Sequence, residues 1–299
     1  MKEKVLKAYG VRKRYSNSNF ILDIPEVVLD VGSITGVVGE NGNGKTTLLQ
    51  SLAGELHAEG EFGFYGADKK PGHALDWIRI KSQMAFIPQR IPRWYGSLWE
   101  NLSLKAALSG IPADEIDKEL EDLIEFLGLT NYKDYKWTEI STGFRLRFEL
   151  ARMLIGKPKL LVLDEPLANL DLNTQERFLS DLKNLLAQRS KETAIILSSQ
   201  QLHELEAVAD QMIVIKDGKR VNTDSIPETD STLLEIMAQD ADRLKSWLGE
   251  NGITYKEGGS HLTCILERKT REEFLQEALS ASLGIHYFRD ITRSAKRHL

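Results

Sequence analysis

Residues 39–46, Gly-Glu-Asn-Gly-Asn-Gly-Lys-Thr, have the spacing Gly-x-x-x-x-Gly-Lys-Thr between an apolar run, Ile34 to Val38, and an amphipathic stretch that begins near Lys45. Gly39, Gly42 and Gly44 can take positive φ, so the backbone on either side of Asn41 can close on a phosphate chain. Successive N–H groups then form an anion nest, reinforced by the positive end of the following helix. Lys45 supplies a mobile point charge for β and γ phosphates, and Thr46, with Thr47 next to it, offers a hydroxyl to Mg²⁺. An ordinary glycine-rich turn does not require a strand before it and a helix after it. The stretch predicts a nucleoside triphosphate site. A second group, Asp164 and Glu165, follows the apolar run Leu160–Leu163. An apolar strand ending this way puts two carboxylates at the carboxyl edge of a parallel sheet, where ligands bind. Asp164 can hold Mg²⁺ through its water shell, and Glu165 can orient or deprotonate an attacking water.

The elements that must position these residues follow from the hydropathy periods. Residues 5–11, 20–24, 33–38 and 60–66 read as strands of an N-terminal β subdomain, and 81–87 as a strand ending at Pro88-Gln89. Residues 97–131 become helical, with Ile116, Leu120, Leu123, Ile124 and Leu127 on one face and Gly128 closing it. A helix over 143–155 follows. Strands at 160–163, 194–197 and 212–215 then alternate with helices at 174–188 and 202–209, and Asp217-Gly218 is a turn. The expected fold class is α/β: a mostly parallel core with a helical insertion over about 90–155, in a domain of residues 1–222. Polar residues 223–231, with Pro227, read as a linker. Residues 232–299 read as βαββαβ, a small ferredoxin-like α+β domain whose hairpin turns at Gly258-Gly259.

Composition excludes several classes. The 299 residues are 41% hydrophobic and 28% charged, which suits a soluble globular protein. A net charge of −5 argues against bulk attraction to nucleic acid or acidic lipid. Cys264 is the single cysteine, so no intrachain disulfide is possible. No apolar run approaches a membrane span, and Met1-Lys2-Glu3-Lys4 does not open a signal peptide. The basic residues 293–298 read as a solvated end. The expectation is a cytoplasmic protein whose membrane role, if any, comes through a partner.

The order of motifs resembles the nucleotide-binding subunits of ATP-binding cassette (ABC) transporters over roughly residues 4–222. The loop is followed by Gln89, the helical insertion and Ile140-Ser141-Thr142-Gly143-Phe144-Arg145. Then come Asp164-Glu165, Leu167-Ala168-Asn169-Leu170-Asp171, and Ser198-Ser199-Gln200 before a helix. The resemblance implies a P-loop NTPase core with ATP and Mg²⁺. It implies that Tyr15 stacks on adenine, packing being the alternative. Gln89 would touch Mg²⁺ and sense a transmembrane partner, Ser141 and Gly143 would close on the γ-phosphate of another subunit, and Asp171 would couple two sites. Two positions depart from the family pattern. Phe144 stands where a Gln is usual and cannot hydrogen-bond as Gln would. Gln200 stands at the switch histidine; it keeps a donor for the γ-phosphate but does not titrate near neutral pH. His203, three residues on, decorates the helix or takes over that role.

The implied function is an ATPase subunit that dimerises around two MgATP with an identical or different ABC ATPase subunit. It would drive a separate transmembrane permease from the inner face of the membrane. Residues 89–112, with Trp94, Tyr95 and Trp99, would receive that permease or be buried in the helical subdomain. The Ser-Thr-Gly variant and the C-terminal extension resemble exporter-type subunits. The alternatives are a soluble ATP-dependent switch without a transport role, and an ATP-binding module of negligible turnover. Gln200 and Phe144 keep the second open; Glu165 opposes it.

Overall fold

The computed structural model describes residues 3–64, 76–221, 232–258, 261–266, 270–281 and 283–290, in two compact units, Met1–Val221 and Asn222–Leu299. The expected linker, the basic C-terminal cluster, residues 65–66 of the expected strand at 60–66 and the His203 side chain lie outside the described residues.

The first unit opens with β1 (Lys4–Arg14), β2 (Ile21–Asp30) and β3 (Ile34–Val38), then α1 (Lys45–Leu52), β4 (Glu59–Phe64), α2 (Trp77–Lys81) and β5 (Met84–Ile87). Three longer helices follow: α3 (Leu98–Leu108), α4 (Ala113–Phe126) and α5 (Thr142–Leu154). Next come β6 (Leu160–Leu163), α6 (Leu172–Asn184), β7 (Ala194–Ser199), α7 (Leu202–Glu206), β8 (Gln211–Lys216) and β9 (Lys219–Val221).

Among the described residues these strands form one nine-stranded sheet, ordered β4-β1-β2-β9-β8-β3-β7-β6-β5. Strands β8, β3, β7, β6 and β5 run parallel to one another, whereas β1 pairs antiparallel with β2 and β4. The N-terminal strands are therefore continuous with the parallel core. The joint is β9, antiparallel to β8 and parallel to β2 at Asp23 and Lys219. With only three residues, β9 is too short to show an alternation.

Strands β3, β6 and β7 are buried along their whole length, the signature of a sheet covered on both faces. Their side chains alternate between two cores. Val38, Leu161, Leu163, Ile195 and Leu197 face a core shared with Leu102, Leu120, Phe148 and Phe178, from helices α3 to α6. Val37, Leu160, Val162, Ala194 and Ile196 face the other, filled by Leu48, Leu49 and Leu52 of α1 and by β1 and β2. α4 buries Leu120, Leu123 and Ile124, and Gly128 follows it at φ +65°. α3 is held at its start by a capping box between Ser97 and Glu100.

The aromatics after Gln89 divide. Trp94 is buried and stacks on Trp137 with ring centroids 4.7 Å apart, between the guanidinium groups of Arg152 and Arg145. Trp99 is half-buried, and Tyr95 is 84% exposed.

The second unit comprises β10 (Thr232–Ala238), α8 (Ala241–Glu250), β11 (Thr254–Gly258), β12 (His261–Leu266), α9 (Arg271–Ser280) and β13 (Ile285–Asp290). Its antiparallel sheet is ordered β11-β12-β10-β13, the split-βαβ arrangement of a ferredoxin-like fold. Asp240 caps α8, and a Thr270–Glu273 capping box starts α9. Cys264 is fully buried here, and burial pushes its thiol up to about 12, so it is a packing residue.

Candidate functional site

The loop after β3 is shaped by two glycines with different reasons to be glycine. Gly44, the residue before α1, sits at φ +98°, and a Cβ there would lie 2.7 Å from the Phe20 ring. Gly39 is not among the residues at positive φ, which corrects the sequence-based expectation. What it needs is room, since a Cβ would collide with the Ile215 carbonyl of β8. Asn41 and Gly42 are exposed at the crest. Tyr15 is about one-third exposed; its hydroxyl lies 3.2 Å from Thr47 Oγ1, and Lys13 Nζ is 5.6 Å from its ring centre.

Lys45 is anchored rather than free. Its ammonium donates to the carbonyls of Gly39 (2.7 Å) and Glu40 (3.2 Å) and meets Glu165 Oε1 at 3.0 Å. Both side chains of this pair are nearly closed to water, Lys45 at 4% and Glu165 at 7% exposure, so each charge depends on the other. Glu165 also accepts on Oε2 from Gln89 Nε2 (2.9 Å) and Gln200 Nε2 (2.8 Å). The geometry follows from strand order: β3, β7, β6 and β5 are adjacent, and their carboxyl ends deliver Lys45, Gln200, Glu165 and Gln89. Glu165 has φ +45°, a conformation costing about 1–3 kcal/mol in a non-glycine residue. Its N–H donates to Ser198 Oγ at 2.8 Å, one of the bonds that hold it there.

Ser198 in turn donates to Asp164 Oδ1 (2.9 Å), which also accepts from Thr46 Oγ1 (3.1 Å). Burial raises the Asp164 carboxyl above its ordinary range, and the bonds from Ser198 and Thr46 oppose that shift. Consecutive hydrogen bonds thus join Thr46, Asp164, Ser198, Glu165, Gln89, Gln200 and Lys45. Sequence reasoning assigns Ser198 no role; a hydroxyl closing the apolar run 194–197 was its only signal. The donor set suits Mg²⁺: a hydroxyl and a carboxylate, both hard oxygen ligands, at the edge of an anion nest. Among the described residues there is no cluster of three or more His, Cys, Asp or Glu that could hold a metal ion.

Ser141, Gly143 and Asp171 form a second group outside that network. Ser141 caps α5, accepting from the Phe144 N–H at 3.4 Å, and a side chain at Gly143 would run into Thr174 of α6. Asp171 caps α6 through the Thr174 N–H and hydroxyl, bonds that hold its carboxyl below the usual range. Ser141 and Asp171 are exposed. Phe144 turns inward, its ring 4.1 Å from that of Tyr132, so the aromatic departure is a packing residue of the helical subdomain.

A parallel sheet presenting a glycine-rich anion loop, a buried lysine and an Asp-Glu strand end defines a P-loop nucleoside triphosphatase. The ABC transporter family model matches residues 22–168. The chain is 30% identical over 258 residues to the uncharacterized ABC transporter ATP-binding protein YdbJ of Bacillus subtilis, spanning 84% of this chain and 80% of that one. It is 29% identical to the tungstate uptake system ATP-binding protein TupC of Peptoclostridium acidaminophilum, over 70% of this chain and 94% of the relative. Nod factor export ATP-binding protein I of Ralstonia nicotianae is also 29% identical, over 87% and 81%. In fold the chain is similar to cbiO1 of Clostridium perfringens, with a TM-score of 0.66 and 24% identity over 74% of this chain and 88% of that one. The chain belongs to the ATP-binding subunits of the ABC transporter family, a family of ATPases. No helix among the described residues is long and apolar enough to cross a membrane.

Proposed function

We propose that this chain hydrolyses MgATP in a dimer of two ABC ATPase subunits and so powers a separate transmembrane permease, in the direction of export. The observation that carries the hydrolytic reading is the buried Glu165, held by Lys45, Gln89 and Gln200 at the mouth of the phosphate loop. Backbone N–H groups of residues 39–45 bind the β and γ phosphates, and Lys45 leaves Glu165 to pair with them. Thr46 and Asp164 would hold Mg²⁺, which when bound would neutralise charge on the phosphates. Glu165 takes a proton from the attacking water, whose oxygen bonds to the γ-phosphorus as the bond to the β-phosphate oxygen breaks. Tyr15 offers its exposed ring face to the adenine.

Dimerisation is supported by the second group. Ser141 stands exposed at the start of α5, where hydroxyl, N–H groups and helix dipole suit an anion from another chain, and Asp171 exposes a carboxylate at the start of α6 that would meet that chain's polar groups. Export rests on the Ser-Thr-Gly variant and the C-terminal extension; the relative named for export aligns over 87% of this chain, and those named for uptake or import over 70–75%. Tyr95, exposed and six residues after Gln89, is the part of the aromatic segment free to meet the permease. Residues 1–222 would be the working cassette and the ferredoxin-like unit an accessory. The test is co-purification with a multi-span protein, followed by phosphate release from the complex in lipid. Absence of such a partner, with full turnover by the chain alone, would favour a soluble ATP-dependent switch.

A further inference from the structure

Asn43 stands between two glycines at positive φ, Gly42 (+84°) and Gly44 (+98°). Nothing lies within 4 Å of where a Gly42 Cβ would sit, so packing does not hold the crest of the loop there. Lys45 ties the loop at the carbonyls of Gly39 and Glu40, but a bound γ-phosphate competes for that ammonium. The Asn43 side chain makes a different tie. Its Oδ1 accepts the N–H of Asp217 at 3.1 Å, across 174 positions of sequence. An amide facing an N–H must turn its oxygen toward it, which fixes the orientation of the side chain. Asp217 and Gly218 form the two-residue connection between β8 and β9, with φ of +49° and +77°. Asp-Gly with both φ positive is a favoured hairpin turn. That turn is clamped from its other side as well. The Asp23 N–H of β2 donates to the Gly218 carbonyl at 2.7 Å, and a Cβ at Gly218 would collide with the Ile21 carbonyl. The Phe20 ring lies beside both Gly44 and Gly218.

We infer that Asn43 is a positioning residue for the phosphate loop, which it fastens through Asp217 to the turn between β8 and β9. Glycines lose more conformational freedom on ordering than any other residue, and the crest has one on each side of Asn43. A loop ordered before the nucleotide arrives spares that cost at the moment of binding. The bond uses neither the ammonium of Lys45 nor the hydroxyl of Thr46, so it persists once those groups are given to phosphate and Mg²⁺. It therefore serves the β-phosphate that ATP and ADP share, rather than the γ-phosphate or the chemical step. The spacing Gly-x-x-x-x-Gly-Lys-Thr leaves the residue type at position 43 open, and its partner lies on a different hairpin. This assignment rests on residues 39–45 being the phosphate site.

The test compares Asn43→Ala, which removes the acceptor, with Asn43→Asp, which keeps one at the same reach, both in the full chain. Calorimetric affinities for MgADP and MgATP, single-turnover hydrolysis at saturating MgATP and amide hydrogen exchange at Asp217 are measured for each. In the wild type, nucleotide should slow exchange at the Asp217 amide, because a filled loop holds Asn43 in place. In Asn43→Ala that amide should exchange about tenfold faster and no longer respond to nucleotide, while the amides of Ile213 to Ile215 in β8 exchange as before. Affinities for ADP and ATP should fall together, about three- to tenfold, the effect of one hydrogen bond, and the saturated rate should fall by a smaller factor. Asn43→Asp should keep the Asp217 amide protected, although its added charge weakens nucleotide binding. Unchanged affinity in Asn43→Ala, a loss for ATP alone, or a rate that falls more than affinity does would each overturn the inference. So would an Asp217 amide indifferent to the alanine change or to nucleotide, or one exposed in Asn43→Asp. Lys45→Ala, run alongside, separates the two levels. If it binds nucleotide like wild type, the phosphate-loop reading fails; if it does not and Asn43→Ala does, only this inference fails.

Discussion

Glu165 and Ser141 are both assigned to a γ-phosphate, yet their surroundings are opposite. Glu165 is buried, its backbone is strained, and its carboxylate is claimed by side chains from three other strand ends. Ser141 is exposed and bonds to its own helix, the Phe144 N–H. A buried charge must find partners within the chain that buries it, because water is not there to supply them. An exposed helix start carries no such demand and can wait for an anion from elsewhere. The first region is thus finished by the fold. The second, in the function proposed, is half of a site, and the difference teaches which residues a single chain can preorganise.

The sharpest way to break this contrast is Lys45→Ala. It removes the main cation facing the phosphates and leaves Glu165 buried without its ammonium, so ATP affinity should fall by about a hundredfold or more. Equal affinities for wild type and variant by calorimetry with Mg²⁺ would show that the buried network is not the nucleotide site. Next is Glu165→Gln, which keeps the side chain's size and removes the base. Turnover should drop about a hundredfold or more while ATP binding persists and an ATP-stabilised dimer accumulates in sedimentation.

Arg147→Met probes the joint between α5 and α6, where Arg147 donates to Asp181 at 2.5–2.8 Å. Burial raises the Asp181 carboxyl, and Arg147 opposes that shift. A raised carboxyl costs stability as pH climbs through its folded-state value, and the variant loses the charge that offsets this cost. The loss should therefore be about 3 kcal/mol near pH 7 and smaller near pH 4, read from denaturant midpoints at both. An equal loss at both would assign the effect to packing. The smallest effect belongs to Ser141→Ala. Loss of one cap should cost about 1 kcal/mol of stability. ADP binding by the monomer should be unchanged and ATP-driven dimerisation weakened; an equal loss of ADP binding would place Ser141 in the chain's own site and end the contrast.

The chemistry was legible in the sequence wherever a residue type has few physical uses. Gly39 to Thr46 and Asp164-Glu165 announce an anion loop and a carboxylate strand end because spacing and strand context leave little else for them to do. The parallel core was legible because strands buried on both faces read as unbroken apolar runs, as in Leu160–Leu163. The βαββαβ order of the second unit was legible from its alternation and turns.

Position 200 marks where that legibility ends. Its residue type is in the sequence, but the partner of an amide depends on which strands lie side by side, and the order β3-β7-β6-β5 is not the order of the chain. The same holds for Ser198 as a bridge to Asp164, for Gly39 pressed against Ile215, and for Phe144 turning toward Tyr132 rather than outward. Sequence alone determined the kind of chemistry, because local spacing and hydropathy act over a few residues. Tertiary structure decided which atom of Glu165 each neighbour holds, because hydrogen bonds between side chains 35 to 120 residues apart, about 3 Å long, exist only once the sheet has been assembled.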